Sequence, residues 1–283
     1  MKMKRPGMFS RDEVISANIA LHSALADKYK ETEPHYRKEN IERVSKILSS
    51  LQEGTRGKRL LDIGCGTGFI IDIAKCYFDT IRGIDVTQAM LDRIDKSSEK
   101  ADIEVQLAES EKLPFEDQSF DVCTAYAVLH HLDRLQPTFR EIHRVLVKGG
   151  IFYSDLDPNF YFWQSLSALS PNGGYSEIVN REINAVLHKD RELEETFHID
   201  KSVLRTAEHL KHEEGGFKEE QLRGMLSEAG FREIEIRYEW FLGEARVIHG
   251  EDERILDALR SYLQEILPLS KHLFKYLIIY AKK

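Results

Sequence analysis

The stretch Leu60-Leu61-Asp62-Ile63-Gly64-Cys65-Gly66-Thr67-Gly68 constrains this chain more than any other. A short apolar run ends in glycines at every second position. An apolar pattern at helical spacing follows at once: Phe69, Ile70, Ile73, Ala74 and Tyr77. A strand that turns through glycines into a helix is the unit of helix-covered parallel sheets, and such sheets hold a ligand over the strand's end. The spacing narrows the ligand. A dinucleotide fingerprint needs glycine at position 69, where this chain has phenylalanine, and the Gly-Lys-Ser/Thr of a phosphate loop is absent. The carboxylate of Asp62 beside the loop repels a pyrophosphate and welcomes a ligand carrying positive charge.

Downstream of the loop, strands and helices alternate. Thr80 to Asp85 reads as a second strand, Ile103, Val105 and Leu107 as a third, Phe120 to Tyr126 as a fourth and Ile151 to Ser154 as a fifth. Between them, Met90, Leu91 and Ile94 mark one helix face, and Leu135, Phe139, Ile142, Val145 and Leu146 another, ended by Gly149-Gly150. The rhythm breaks at 156–216, which holds an aromatic cluster, a Pro-Asn-Gly-Gly turn at 171–174 and a charge-rich helical stretch. A break this long inside an alternating domain is usually functional. It resumes with a helix from Phe217 to Ala229, capped by Gly230, then strands at Phe231 to Trp240 and Phe274 to Ala281. The pattern predicts an α/β fold: a doubly wound, seven-stranded, mostly parallel sheet with helical lid insertions. Ahead of the first strand, Asp12 to Gln52 reads as two helices broken near Pro34.

Composition removes several function classes. No apolar run approaches the roughly 20 residues of a membrane span, so no membrane partner is expected. The basic segment Met1 to Gly7 lacks the apolar region of a secretory signal and reads as a charged tail. Cys65, Cys76 and Cys123 show no metal spacing and read as reduced core thiols of a cytoplasmic protein. A formal net charge of −8 argues against nucleic acid, whose binding draws on basic excess. It favours a small-molecule partner.

The motifs, in order, resemble those of the class I (Rossmann-like) S-adenosylmethionine (SAM)-dependent methyltransferase family. The loop Asp62-Ile-Gly64-Cys-Gly66-Thr-Gly68 is similar to the family's first motif. Asp85, closing Gly83-Ile84-Asp85, matches the acid that ends strand two. Glu109-Ser-Glu-Lys-Leu-Pro-Phe115 with Ser119-Phe120-Asp121 resembles the approach to strand four, and Phe139-Arg-Glu-Ile-His-Arg-Val-Leu146 with Gly149-Gly150 the approach to strand five. The resemblance covers Leu60 to Ala281. It implies a SAM-binding Rossmann-like core at 56–155, an N-terminal helical cap at 1–55 and a substrate lid at 156–216. The core is completed at 217–283, with a second helical insertion at about 250–267.

The resemblance also implies site residues. Gly64, Gly66 and Gly68 let backbone approach the methionine part of SAM. Asp62 holds its amino group, and Asp85 the ribose hydroxyls, with Val86 against adenine. Glu109 meets the adenine amine, with the Ser110 amide on the ring and Ala125 near the amino-acid end. Tyr29, Tyr36 and Arg37 fold over the cofactor, with Arg37 on its carboxylate. Asp157-Pro158-Asn159-Phe160 echoes the motif of amino-methylating nucleic-acid enzymes, but it stands after strand five instead of strand four, and base methylation is not expected.

Methyl transfer from SAM needs a positioned nucleophile and, for an oxygen or carbon acceptor, a general base. His130 and His131, just beyond strand four, are the candidates. No metal ligand set is assigned; His209 and His212 beside Glu213 and Glu214 read as a solvated face. Phe160, Tyr161, Phe162 and Trp163, with Tyr175, Trp240 and Phe241, are candidate walls for an apolar or aromatic acceptor. The expected activity is methyl transfer from SAM to an O or N nucleophile of a small metabolite, leaving S-adenosylhomocysteine (SAH). A SAM-binding regulatory or assembly protein and a protein methyltransferase stand as alternatives.

Overall fold

The computed structural model describes residues 9–170, 173–187, 189–244 and 253–283. His188 and part of the turn at 171–174 lie outside the described residues, as does part of the insertion at about 250–267. Seven strands form one sheet in the order β3-β2-β1-β4-β5-β7-β6. Their bounds are β1 Arg59–Ile63, β2 Thr80–Asp85, β3 Asp102–Leu107, β4 Phe120–Tyr126, β5 Leu146–Pro158, β6 Arg232–Phe241 and β7 Phe274–Lys282. The first five pair in parallel, and β7 runs antiparallel between β5 and β6. The fifth strand is longer at both ends than the sequence pattern suggested. At the N-terminal end Leu146 pairs with Phe120 of β4, and at the C-terminal end Asp157 and Pro158 gain partners in β7 that no local alternation announces.

Every residue of β4 is buried, as expected of a central parallel strand covered on both faces. On one face, the helices Lys38–Glu53 and Phe69–Ala74 pack Val44, Leu48, Ile70 and Ile71 against Leu60, Val122 and Tyr153. On the other, Phe139, Ile142 and Val145 of the Leu135–Val145 helix join Leu222 and Leu226 of the Glu219–Ala229 helix over Leu61, Cys123 and Phe152. Each fully buried leucine or isoleucine contributes about 1.5–3 kcal/mol, so this periodic apolar spacing holds the helices to the sheet.

A third, smaller cluster lies beyond the sheet. The first helix, Arg11–Leu25, opens with a capping box in which Ser10 Oγ accepts the Glu13 amide and Glu13 Oε2 accepts the Ser10 amide. Its Ala17, Leu21 and Leu25 pack on Leu193, Ile199, Leu204 and Ala207, from the segment between β5 and β6. The N-terminal helix and the insertion are therefore one packed unit over the strand ends. Pro34 starts a 3-10 turn, Pro34–Tyr36, between the two N-terminal helices. Among the described residues no helix is long and apolar enough to cross a membrane.

Candidate functional site

The order of strands reverses between β1 and β4, which opens a crevice at their C-terminal ends, the usual ligand position in such sheets. Two cavities occupy it. The narrower, about 110 Å3, is lined by Gly64, Gly66, Asp85, Val86, Glu109 and Ser110, under Arg11, Asn18 and His22 of the first helix. The larger, about 600 Å3, lies between the N-terminal segment and the insertion. His22, Tyr29, Ala127 and His131 line both.

The glycine loop is held by its own backbone. Gly64, Gly66 and Gly68 have φ of +64°, +51° and +92°, a region that side chains seldom enter. At Gly64 a Cβ would stand 2.2 Å from Val128 Cγ2; at Gly66 it would meet nothing within 4 Å, because that position faces the cavity. The Asp85 carboxylate accepts the Gly66 amide at 2.9 Å and the Thr87 amide at 2.8 Å. It is thereby fixed at the cavity wall with its remaining lone pairs available to hydroxyl groups. Asp62 is buried beneath the loop and does not line the cavity. Its Oδ1 accepts a 2.7 Å hydrogen bond from Thr124 Oγ1. Burial pushes its carboxyl up to about 7, against the Thr124 bond, with the Asp85 charge adding to the rise.

The other expected cofactor residues divide. Val86, Glu109, Ser110 and Tyr29 stand at the narrow cavity. Glu109 is ion-paired with Arg11, which also reaches Glu111 Oε2 at 3.2 Å and so ties the first helix across the cleft. Ser110 Oγ is bonded to Thr138 Oγ1 at 2.9 Å. Tyr36 bonds Thr67 Oγ1 at 2.7 Å, bracing the glycine loop from outside. Three more of the expected cofactor positions, Ala125, Arg37 and Gly68, lie outside the narrow cavity. Ala125 is wholly buried inside β4, and Tyr126 and Ala127 reach the cavity instead. Arg37 lines the larger cavity, since the turn at Pro34 carries it past the cofactor cleft. Gly68 caps the Phe69–Ala74 helix in the left-handed region, outside the lining.

The two histidines have unlike surroundings. His130 is buried, and both its amide (3.3 Å) and Nδ1 (3.1 Å) meet Asp157 Oδ1. Asp157 is itself wholly buried, with Ser154 Oγ donating to its other oxygen at 2.6 Å; burial raises its carboxyl despite these partners. The His131 ring lies 4.3 Å from that of His130 and 4.9 Å from that of His22. Burial holds the His131 imidazole well below its ordinary value, and the charges of His130 and His22 push the same way, so the ring is neutral at neutral pH. The backbone beside it is strained: Ala127 and Leu156, which line the larger cavity, have φ of +55° and +60°.

Of the expected acceptor walls, Phe162, Trp163, Trp240 and Phe241 line the larger cavity. Phe160 lies under Lys218 and Tyr161 against His272, both away from it. Tyr175 folds back onto its own loop, its hydroxyl accepting the Ser170 amide at 3.0 Å. His209 is buried and His212 bonds Glu208 at 3.1 Å, so the pair is not a solvated face. Cys65 and Cys123 are buried, while Cys76 is exposed.

Several residues here carried no sequence signal. Asn18 Nδ2 donates to the carbonyls of Val14 (3.0 Å), His131 (2.9 Å) and Ala207 (3.4 Å), joining the first helix to the site and to the insertion. Asp157 sat in a motif that resembled something else. Glu208 sat in a charge run.

A cleft at the switch point, a left-handed glycine loop and a clamped acid after β2 together define a nucleoside-binding α/β domain of the methyltransferase type. Residues 61–154 match the model of the methyltransferase domain family. This part of the chain is a class I SAM-dependent methyltransferase domain, in the fold that belongs to that class. The biotin biosynthesis bifunctional protein BioHC of Teredinibacter turnerae is 25% identical over 258 residues, covering 78% of this chain and 44% of its own length. The 27-O-demethylrifamycin SV methyltransferase of Amycolatopsis mediterranei is 34% identical, over 38% of this chain and 42% of its own. The chain thus matches less than half the length of either relative. In structure, a SAM-dependent methyltransferase from Mesorhizobium loti aligns with a TM-score of 0.52 at 19% identity, over 84% of this chain and 96% of its own.

Proposed function

We propose that this protein transfers a methyl group from SAM to an oxygen or nitrogen of a small, apolar or aromatic molecule held in the larger cavity. The observation that carries the reading is His131, which lines both cavities at the point where donor and acceptor would meet.

The narrow cleft fits the cofactor. The open space at Gly66 admits a chain against the backbone, and the clamped Asp85 suits paired hydroxyls. Buried Asp62 offers a carboxylate beneath the loop for an ammonium, directly or through water. SAM, when bound, supplies an electrophilic methyl group. The protein's residues do the rest: the first helix covers the cleft through Arg11 and excludes water, and the aromatic walls orient the acceptor. His131, kept neutral by burial, accepts the acceptor's proton. His130 acts as a positioning residue, itself fixed by Asp157 through two contacts.

The aromatic lining from Phe162, Trp163, Trp240 and Phe241 supports an apolar or aromatic acceptor. Free thiols at Cys65, Cys76 and Cys123 support a reducing, cytoplasmic setting. The test is SAH release from SAM by the purified chain across phenols, hydroxy acids and aromatic amines. Turnover with one acceptor class, lost on His131→Ala with SAH still bound, supports the reading. SAH binding without turnover across the whole panel would leave a SAM-binding protein in its place.

A further inference from the structure

Three side chains able to ligate a metal meet at the wall of the larger cavity. We infer that His130, His131 and Glu208 form a binding site for one divalent transition-metal ion of the zinc or cobalt(II) kind. The three residues come from the end of β4 and from the insertion, 77 positions apart in sequence between His131 and Glu208. Each offers a ligand atom, and these atoms lie within 4.8 Å of one another.

The chemistry of the set is specific. Two imidazoles and one carboxylate suit a borderline ion and leave a coordination position open. His130 and Glu208 are buried, so this is not an exposed acidic patch. His130 is already oriented as metal-bound histidines are: Nδ1 faces the Asp157 carboxylate, which leaves the lone pair of Nε2 to bind. Ser154 anchors that carboxylate in turn. His131 Nδ1 is buried with no hydrogen-bond partner among the described residues, an arrangement that costs stability unless something meets the ring.

Lys211 is the obstacle and the handle. Its ammonium lies 2.5 Å from Glu208 Oε2, an oxygen that His212 Nε2 also meets at 3.1 Å. In the metal-free chain this cation balances the buried carboxylate. An incoming ion must displace it, so Lys211 weakens metal binding and tunes it. The ion also competes with the acceptor's proton for His131. Occupancy and base action at that ring exclude each other, and the filled site is an inhibited form of the enzyme. This last step rests on the proposed role of His131; the binding site itself does not.

The experiment titrates Co2+ into the metal-free full-length chain and follows its visible ligand-field bands, with SAH binding measured on the same preparation by calorimetry. The expected result is saturation at one equivalent, binding weakened about tenfold or more by Glu208→Gln and tightened about tenfold by Lys211→Met. Methyl transfer falls in step with occupancy. Bands that never saturate, or saturate equally in Glu208→Gln, overturn the site. Full occupancy without loss of methyl transfer overturns the competition at His131. Loss of SAH binding with intact metal binding would count against the cofactor reading and leave the metal site standing.

Discussion

The two cavities are built on different principles. The cofactor cleft is made by consecutive strand ends and the loops that follow them, and its geometry is held by backbone: glycines at positive φ and an acid clamped by two amides. The larger cavity is made by side chains from the N-terminal segment, the ends of β4 and β5, the insertion and the β6–β7 pair. The difference teaches where change is tolerated. A site built of backbone fails when a single atom is added. A site built of side chains from separate elements can be re-lined one wall at a time, and so can follow a new acceptor.

The largest effect should come from the backbone site. Gly64→Ala places a methyl group against Val128 at a left-handed φ. Strain of about 1–3 kcal/mol is expected, together with loss of measurable SAH binding by calorimetry. Normal binding by a folded variant would break the claim that the glycine-loop backbone sets the shape of this cleft.

His131→Ala tests the boundary between the sites. A lost general base lowers kcat by about 100-fold or more, with SAH affinity little changed. The pH profile sharpens this. Because burial holds the His131 imidazole below its ordinary value, it stays neutral and able to accept a proton through pH 6.5. The acid limb of kcat/KM should therefore lie below that point, and a limb at or above 6.5 would count against it as the base.

Asp62 sets stability against affinity. Its folded-state carboxyl is raised to about 7, whereas in the unfolded chain it titrates near 3.9. The unfolded state thus releases this proton first, and stability from this group is present below about pH 4 and lost as pH rises to about 7. Asp62→Asn removes that loss. It should raise the thermal midpoint of the cofactor-free protein at pH 8 relative to wild type, while weakening SAM binding about tenfold by deleting the charge. A variant that is both less stable at pH 8 and unimpaired in binding would refute this account.

The smallest effect belongs to the tie across the cleft. Arg11 is one-third exposed, so its pairing with Glu109 and Glu111 is screened and worth up to about 1 kcal/mol. Arg11→Ala should raise the KM for SAM a few-fold, and added salt should do the same to wild type. A salt-insensitive KM would show that the first helix is held by its apolar face alone.

Legibility followed the same divide. The strands β1 to β4 are readable because each is a short apolar or alternating segment within a regular strand-helix rhythm, and the glycine loop because its φ values demand glycine. The extension of β5 to Pro158 was not, since its outer residues gain partners only from β7, more than a hundred positions away. Ala125 stays inside β4 while its neighbour Tyr126 reaches the cavity, and in a strand buried along its whole length nothing local marks which residue meets the ligand space. Arg37 was assigned to the wrong cavity because the turn at Pro34 sets its direction, and a turn's direction is fixed by what it packs against.

The sequence by itself determined the donor side of this protein. Strand, glycine loop and acid lie within some 25 positions of one another, and their geometry follows from short-range backbone rules. Only the tertiary structure decided the acceptor side. Asn18 bracing His131, Asp157 orienting His130 and Glu208 arriving from the insertion are contacts between segments far apart in sequence. Such meetings depend on how the N-terminal helix and the insertion bury their shared apolar faces over the strand ends, and that packing has no periodicity of its own to read.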